Sequence, residues 1–318
     1  MSLLVVGSVA LDSVETPFGR QENVLGGSAT YFSACASFFG PVRLVAVVGE
    51  DFPEEHVRFL ASRGVDLAGL TRLPGRTFRW KGRYEFDLNQ ARTLDTQLNV
   101  FAGFRPELPP AWRDSRYLFL GNIDPDLQQR VLDQVRGPRF VACDTMNYWI
   151  ETKRASLLQT LRRVDMLFVN DAEARELAGE ANVVKAARAI LGLGPRAVVV
   201  KRGEYGALFF SGGEVFAASA YPLAAVFDPT GAGDSFAGGF MGYLARSGGE
   251  DHAGMRRAIV VGGVLASFAV ERFSLDRLRT LTHDEIRARY GEFRQLTRFD
   301  DLEVDILNGD QHDTGDQS

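Results

Sequence analysis

The chain is poor in cysteine and histidine. Its 318 residues include two cysteines, Cys35 and Cys143, and four histidines. Both cysteines stand among apolar neighbours, which is typical of small buried side chains. The sequence therefore predicts neither a disulfide framework nor a cysteine-based metal site. Since this cysteine usage fits a reducing compartment, we expect a cytoplasmic protein.

Long apolar runs are also missing. No apolar run reaches the roughly 18 residues that a membrane-spanning helix needs. The N-terminus passes directly into the strand-like run Leu3–Val6, and no basic segment precedes it. The sequence therefore predicts neither secretion nor membrane insertion.

The chain has no large excess of charge. The formal net charge is -5, and residues 303–318 alone contain five acidic residues and no Lys or Arg. Without these five, the 41 acidic residues fall to the number of the 36 Lys and Arg. A near-neutral body lacks the basic field of nucleic-acid-binding proteins, so we expect no nucleic-acid partner. The acidic tail is predicted to be disordered.

Two common phosphate-binding motifs are absent. The chain has no Gly-x4-Gly-Lys-Ser/Thr, which excludes a Walker-type phosphate loop. Its one similar glycine loop has Phe236 where a dinucleotide fingerprint needs a third glycine. A phosphate site in this chain must therefore be built in another way.

A glycine loop and a helix start stand together in the stretch 228–240. Phe236, Phe240 and Leu244 recur at a spacing of four, which predicts a helix from about 234 to 246. Gly231, Ala232 and Gly233 lie at its N-terminus, where backbone N–H groups are unpaired and the helix dipole is positive. The stretch therefore predicts an anion-binding loop.

Asp234 is unusual in this setting because a carboxylate repels an anion. It is either an ordinary helix cap or a base that takes a proton from an attacking hydroxyl. The whole stretch resembles the C-terminal signature of the ribokinase-like sugar kinases, the phosphofructokinase-B family. The resemblance implies that Asp234 is the catalytic base and that Gly231, Ala232 and Gly233 form the anion hole for the phosphoryl group of ATP. It also implies Mg²⁺, and a monovalent cation such as K⁺ at Asp228 and Thr230.

Short apolar runs alternate with amphipathic helices along most of the chain. This order predicts an α/β fold with a mostly parallel, doubly wound sheet and helices on both faces. We expect one ribokinase-like kinase domain over 1–302, with a small β-sheet lid inserted at about 12–24 and 76–101. The predicted strands are Leu3–Val6, Val42–Gly49, 117–121, Phe140–Asp144, Met166–Asn170 and Ala197–Lys201.

The acceptor side of the predicted site lies near the N-terminus. Asp12 follows the first strand at its carboxyl end, where ligands collect in open α/β sheets, although a solvated loop residue is the plain alternative. Gly26 and Gly27 precede a small-residue helix and are otherwise a simple turn. The family resemblance implies that Asp12, Gly26, Gly27 and Tyr31 line the substrate. Ala10 and Tyr31 stand where ribokinase has two asparagines, which argues against ribose.

The lid region shows a different pattern. Aromatic residues alternate with polar ones on both sides of 81–83, which predicts a hairpin with a three-residue loop. Trp80 would then lie opposite Tyr84, and Phe78 opposite Phe86, on one face. The resemblance implies that this lid covers the substrate. An exposed aromatic face would need a partner, so we expect a homodimer through the lid.

The nucleotide side is predicted farther along the chain. Asn170 and Glu173 are spaced as a capping box, and the resemblance implies that they help to hold Mg²⁺ and nucleotide phosphates, with Glu173 acting directly or through water. Lys201 ends a strand before a glycine turn that is otherwise a plain hairpin. The resemblance places ATP there and an adenine pocket along a later glycine-containing helix. The implied residues are Lys201, Gly203, Gly206 and Gly263.

The combined motifs predict an ATP-dependent kinase that phosphorylates a hydroxyl of a small carbohydrate. A nucleoside kinase of the same family and a catalytically silent binding or regulatory protein are the alternatives. The sequence leaves the acceptor open among sugars, sugar phosphates, polyols and nucleosides. Arg79, Lys81 and Arg83 would allow an anionic sugar.

Overall fold

The computed structural model describes residues 2–300, so the acidic tail predicted at 303–318 lies outside the described residues. Within the described residues, thirteen strands form two sheets. They are β1 (Leu3–Val6), β2 (Ala10–Thr16), β3 (Gly19–Gly26), β4 (Val42–Gly49), β5 (Val65–Leu73), β6 (Arg79–Tyr84), β7 (Ala91–Gln97), β8 (Tyr117–Leu120), β9 (Phe140–Asp144), β10 (Met166–Asn170), β11 (Ala197–Lys201), β12 (Ala207–Ser211) and β13 (Glu214–Ala218).

Eleven α-helices connect these strands or follow them within the described residues. They are α1 (Ser28–Ala36), α2 (Glu54–Ser62), α3 (Pro125–Leu132), α4 (Asn147–Thr152), α5 (Arg154–Leu161), α6 (Asp171–Ala178), α7 (Val183–Leu191), α8 (Ala232–Ser247), α9 (His252–Ala269), α10 (Asp276–Thr280) and α11 (His283–Leu296). No helix within residues 2–300 is long and apolar enough to cross a membrane.

The large sheet has nine strands in the order β13-β12-β11-β10-β9-β8-β1-β4-β5. It is parallel from β11 to β5, and β12 and β13 add an antiparallel edge. Strand residues alternate between two cores: Leu3 and Val5 pack under α1, α8 and α9, while Leu4 and Val6 pack under α3, α5, α6 and α7. Burial on both faces explains why these strands are continuous apolar runs. The predicted α/β fold class is confirmed.

The small sheet has the order β3-β2-β6-β7. β2 and β6 run parallel, and the two outer pairs are antiparallel. Leu25 and Leu11 attach this sheet to the core beneath α8 and α9. Only three residues separate the end of β1 from the start of β2. The small sheet therefore lies at the carboxyl edge of the large sheet.

The predicted hairpin at 81–83 is wrong. β6 continues through these residues, and the turn to β7 lies at 85–90. Trp80 pairs with Thr96 instead of lying opposite Tyr84. Gly82 belongs inside the strand because the six-membered ring of Trp80 lies over it, and a Cβ there would overlap that ring. The glycine marks a close approach of a side chain, where the sequence pattern suggested a turn.

The predicted single aromatic face is also wrong. Phe86 lies in the turn and is 90% exposed. Phe78 precedes β6 and stacks on Phe101, with ring centroids 5.3 Å apart. Only Trp80 and Tyr84 belong to the strand itself, on the face that also bears Asp12.

Candidate active site

The N-terminus of α8 forms an open loop without a side-chain cap. Gly231 has φ of +73°, a left-handed conformation that favours glycine. The Ala232 N–H donates to the Pro229 carbonyl at 3.2 Å, whereas within residues 2–300 no backbone carbonyl accepts from the Gly233 N–H. The two N–H groups that were predicted to bind an anion therefore differ: the Ala232 N–H already donates to a carbonyl, whereas the Gly233 N–H has no backbone acceptor in the described residues.

Tyr31 supports this loop from below. The side chain is buried, and its ring lies so close to Gly231 that a Cβ on Gly231 would overlap it. Burial raises the pKa of Tyr31 well above its ordinary value, and Asp228 and Asp12 add to the effect. The structure therefore places Tyr31 against the predicted anion hole and gives it a packing contact that the sequence did not reveal.

Asp234 lies in the first turn of α8 and is half-buried. Burial raises the pKa of Asp234 to about 7, the Asp144 carboxylate adds to this increase, and the Lys201 ammonium opposes it. A carboxyl group with such a pKa is suited to proton transfer near neutral pH. Asp234 therefore combines a raised pKa with a place at a helix start, and its role as the base stays a prediction.

Lys201 reaches the same loop from the end of β11. Its Nζ donates to Asp144 Oδ2 at 2.7 Å. The same Nζ lies 2.9 Å from the place where a Cβ on Gly233 would stand. Asp144 was absent from the predicted site residues, although its position at the carboxyl end of β9 was a signal for the ligand-binding edge.

Asp12 faces the loop from the small sheet. It is 5% exposed, and a Cβ on Gly26 would overlap its carboxylate. Burial raises the pKa of Asp12 to about 7; the Gly27 N–H opposes this shift, while Asp228 and Asp234 add to it. Gly26 therefore makes room for the Asp12 carboxylate, and the backbone N–H of Gly27 faces it, a relationship that their sequence spacing did not show.

Asp228 and Thr230 lie in the segment leading to Gly231. Asp228 accepts hydrogen bonds from the backbone N–H groups of Thr230 and Ser274, both at 2.9 Å. Thr230 Oγ1 donates to the Tyr84 hydroxyl of the small sheet at 3.4 Å. These contacts hold the segment in place and link it to the lid. The monovalent cation at Asp228 and Thr230 stays a prediction.

The glycine turn after β11 lies close to the tip of the small sheet. Gly203 has φ of +53°, and Gly206 has φ of +84°. A Cβ on Gly203 would overlap the Asn89 side chain from the turn between β6 and β7, and one on Gly206 would overlap the backbone at Ala218. Both glycines are therefore required by backbone shape and close packing.

Gly263 has more space than its neighbour in α9. A Cβ on Gly263 would make ordinary contact with Phe293 at 3.6 Å, whereas one on Gly262 would lie 2.8 Å from the Phe236 carbonyl oxygen. Close packing of α8 on α9 therefore explains Gly262 and leaves Gly263 unexplained. Its role in an adenine pocket stays a prediction.

Several of the predicted residues thus lie close together at the carboxyl edge of the large sheet. Asp234, the glycine loop, Tyr31 and Lys201 meet at the start of α8, and Asp12 faces them. A pocket of about 540 Å³ lies elsewhere, on the small sheet, and its lining includes Ser13, Lys81 and Asp95 together with Trp80. The buried charged groups with shifted pKa values, Asp12, Lys201 and Asp234, lie instead around the start of α8.

Comparison with known proteins decides the family. The pattern of the pfkB family carbohydrate kinases matches residues 2–277. The chain belongs to the pfkB family of carbohydrate kinases. A cytidine kinase from Thermococcus kodakarensis is 33% identical over 250 residues, which cover 77% of this chain and 89% of that protein. The chain is therefore related over most of its length to a kinase that acts on a nucleoside.

Solved structures confirm that this pfkB chain has a ribokinase-like fold. A nucleoside kinase from Methanocaldococcus jannaschii, an archaeal member of the ribokinase family, superposes with a TM-score of 0.72 at 20% identity, covering 92% of this chain and 98% of that chain. A candidate ribokinase II from E. coli, solved with ATP and Mg²⁺, gives a TM-score of 0.74 at 20% identity, covering 93% and 99%.

The pfkB family implies ATP and Mg²⁺ as cofactors. Asn170 and Glu173 are the residues predicted to help hold them. The two residues form a capping box: Asn170 Oδ1 accepts from the Glu173 N–H at 2.8 Å, and Glu173 Oε2 accepts from the Asn170 N–H at 2.7 Å. Glu173 Oε1 is not part of this box. Within residues 2–300 no group of three or more His, Cys, Asp or Glu side chains could enclose a metal ion. These donors fit a magnesium ion held mainly by phosphates and water.

Proposed function

We propose that this protein is an ATP-dependent kinase that transfers the γ-phosphoryl group to a hydroxyl of a small carbohydrate or nucleoside, with Asp234 as the base. The single observation that carries the proposal is the position of Asp234. A carboxylate with a raised pKa stands in the first turn of α8, directly after an open glycine loop and near the Lys201 ammonium. A site for phosphate alone would gain nothing from a negative charge there.

The reaction follows from the positions of these groups. Asp12 accepts hydrogen bonds from the acceptor and directs one hydroxyl toward Asp234. Asp234 takes the proton of that hydroxyl, whose oxygen forms a bond to the γ-phosphorus while the bond to the β-phosphate oxygen breaks and ADP leaves. The Gly233 N–H and the Lys201 ammonium stabilise the charge on the transferred phosphoryl oxygens. Bound Mg²⁺, near Asn170 and Glu173, would neutralise phosphate charge.

Among the possible acceptors, we propose a nucleoside. The relatives named cytidine kinase and nucleoside kinase support this choice. So does Trp80, which is the register partner of Asp12 on the same face of the small sheet. Its indole lies across Gly82 and donates from Nε1 to Thr93 Oγ1 at 3.2 Å, so the ring is held in one orientation. A fixed aromatic surface beside Asp12 suits the stacking of a nucleobase. A free sugar is the second candidate.

A panel of sugars, sugar phosphates, polyols and nucleosides with Mg-ATP tests the proposal. We expect transfer to nucleosides, cytidine among them, with kcat/KM well above that for ribose. Trp80→Leu should raise KM for the nucleoside while leaving the low activity on ribose unchanged. Transfer to free sugars alone would replace the nucleoside with a carbohydrate acceptor. Binding of ATP and nucleoside without any transfer would instead support a silent regulatory protein.

The homodimer through the lid stays a prediction, although the exposed aromatic face on which it rested is not present in the small sheet. Trp80 and Tyr84 face the Asp12 side, so the outer face of the small sheet presents mainly polar groups, including the Arg83–Glu15 ion pair at 3.1 Å. Light scattering at micromolar concentration measures the state directly. A monomer that is unaffected by Arg83→Glu would remove the predicted lid interface.

A further inference from the structure

Lys201 forms an ion pair with Asp144, a residue that has no role in the reaction as described above. Lys201 Nζ and Asp144 Oδ2 are 2.7 Å apart, and their side chains are 18% and 7% exposed. The ammonium also lies 2.9 Å from the place of a Cβ on Gly233. It therefore adds a full positive charge to the partial positive charge of the α8 N-terminus.

Asp144 is itself held firmly. Its Oδ1 accepts from the Thr145 N–H at 2.7 Å. Its backbone carbonyl accepts from Gln128 Nε2 at 3.0 Å, and the same Nε2 donates to the Gly121 carbonyl at 3.0 Å. A lysine side chain has four rotatable bonds and a freely rotating ammonium. The fixed carboxylate therefore determines where the Lys201 ammonium lies.

The carboxylates of Glu173 and Asp234 also interact electrostatically with the Lys201 ammonium. Burial alone would lower the pKa of Lys201, but Asp144 and Glu173 raise it, and Asp234 contributes in the same direction. A lysine released from Asp144 could turn toward Asp234 and form an ion pair with the proposed base. Such a pair would stabilise the ionised carboxylate and make it a weaker proton acceptor.

We propose that Asp144 is a positioning residue that fixes the Lys201 ammonium beside Gly233, where it contacts the transferred phosphoryl group, and keeps it away from Asp234. The inference rests on the proposed function. Asp144 itself neither accepts a proton nor forms a covalent bond in this role. It acts through Lys201, so its effect must vanish when Lys201 is absent.

A double-mutant cycle tests this dependence. Lys201→Met should lower kcat by roughly 10²-fold, the usual effect of removing one donor to a transition-state charge. Asp144→Asn should lower kcat by about tenfold, within the range of contacting pairs, while KM for the acceptor changes by less than about twofold. In the Lys201→Met background, Asp144→Asn should be neutral or should partly restore kcat, because it removes an unpaired negative charge.

The Asp165–Arg196 pair provides the matched control. Arg196 Nε lies 3.0 Å from Asp165 Oδ1 at the opposite edge of the same sheet. Asp165→Asn and Arg196→Met should leave kcat unchanged. The double variant of Asp144 and Lys201 removes both charges, so it should fold even if one single variant with an unpaired buried charge does not.

The outcomes separate the two proposals. A wild-type protein that transfers phosphate to no acceptor contradicts the proposed function, and the same cycle is then measured on the dissociation constant of ATP. The inference is overturned if Asp144→Asn lowers kcat, or weakens ATP binding, by the same factor in the wild-type protein and in the Lys201→Met variant. A loss confined to KM for the acceptor also overturns it, because Asp144 would then shape the acceptor site.

Discussion

The ring of Tyr31 packs directly beneath Gly231, so that no side chain fits at position 231. This contact joins α1 to the loop before α8 and holds the loop in its left-handed conformation, with φ of +73°. The shape of the proposed anion-binding loop therefore depends on a glycine for two independent reasons: the backbone angle and the ring below it.

Gly231→Ala should lower kcat by about 10²-fold, because a small displacement of the loop misplaces the reacting groups. The left-handed backbone alone should cost roughly 1–2 kcal/mol of stability. Gly248→Ala, at the other end of α8, is the matched control, since Gly248 has φ of +67° and nothing within 4 Å of a Cβ. It should be destabilised similarly and keep its kcat. Equal kcat values for the two variants would show that the Tyr31 contact does not matter. Thermal unfolding and steady-state kinetics measure both effects.

The pKa of Asp234 predicts how activity depends on pH. Because burial raises this pKa to about 7, kcat/KM should increase about tenfold per pH unit below pH 7 and level off above it. Lys201→Met should move the midpoint to higher pH, since a neighbouring positive charge is lost. A midpoint near the ordinary aspartate value of about 4 would show that Asp234 is not the group that titrates.

Asp12 predicts a stability change over the same pH range. Its pKa is raised to about 7 in the folded state, so between about pH 4 and 7 the folded protein holds a proton that the unfolded chain has lost. The free energy of unfolding should therefore fall as pH rises through this window and stay constant above it. Asp12→Asn should reduce that slope, by at most roughly 1.4 kcal/mol per pH unit. Asp95→Asn, on an exposed strand of the same sheet, should leave it unchanged in urea titrations.

The start of α8 could be predicted from the sequence because its parts are local: the glycine loop, the carboxylate and the helical spacing fall within thirteen residues. The Asp144–Lys201 pair could not, because it joins residues 57 positions apart through strand order. Gly82 was misinterpreted for a related reason. A glycine that makes room for Trp80 looks the same in a sequence as a glycine in a turn.

Magnesium dependence tests Glu173. Glu173→Gln keeps a residue that can complete the capping box, so the stability of α6 should change little. Activity should need a higher Mg²⁺ concentration, because one carboxylate of the proposed magnesium site is lost. Glu285→Gln is the matched control in the capping box of α11, formed with Thr282. An unchanged magnesium titration in Glu173→Gln would leave Glu173 with a structural role only.

The decisive variant is Asp234→Asn. The amide keeps the size of the side chain, so stability should change by less than about 1 kcal/mol. An amide cannot accept the hydroxyl proton at neutral pH, and a positioned general base contributes roughly 10²- to 10⁴-fold. ATP binding should survive, because the Gly233 N–H and Lys201 remain, and kcat should fall while KM changes little.

Asp251→Asn is the matched control for Asp234→Asn, because Asp251 caps α9 by accepting from the Gly254 N–H at 2.7 Å. It should keep the kcat of the wild type, with a stability loss of about 1 kcal/mol or less. Calorimetric titration with ATP and steady-state assays with the best acceptor from the panel separate binding from turnover in both variants. If Asp234→Asn retained more than about a tenth of the wild-type kcat, its loss would lie below the general-base range. Asp234 would then be a helix-start residue, and the proton would have to leave the acceptor by another route.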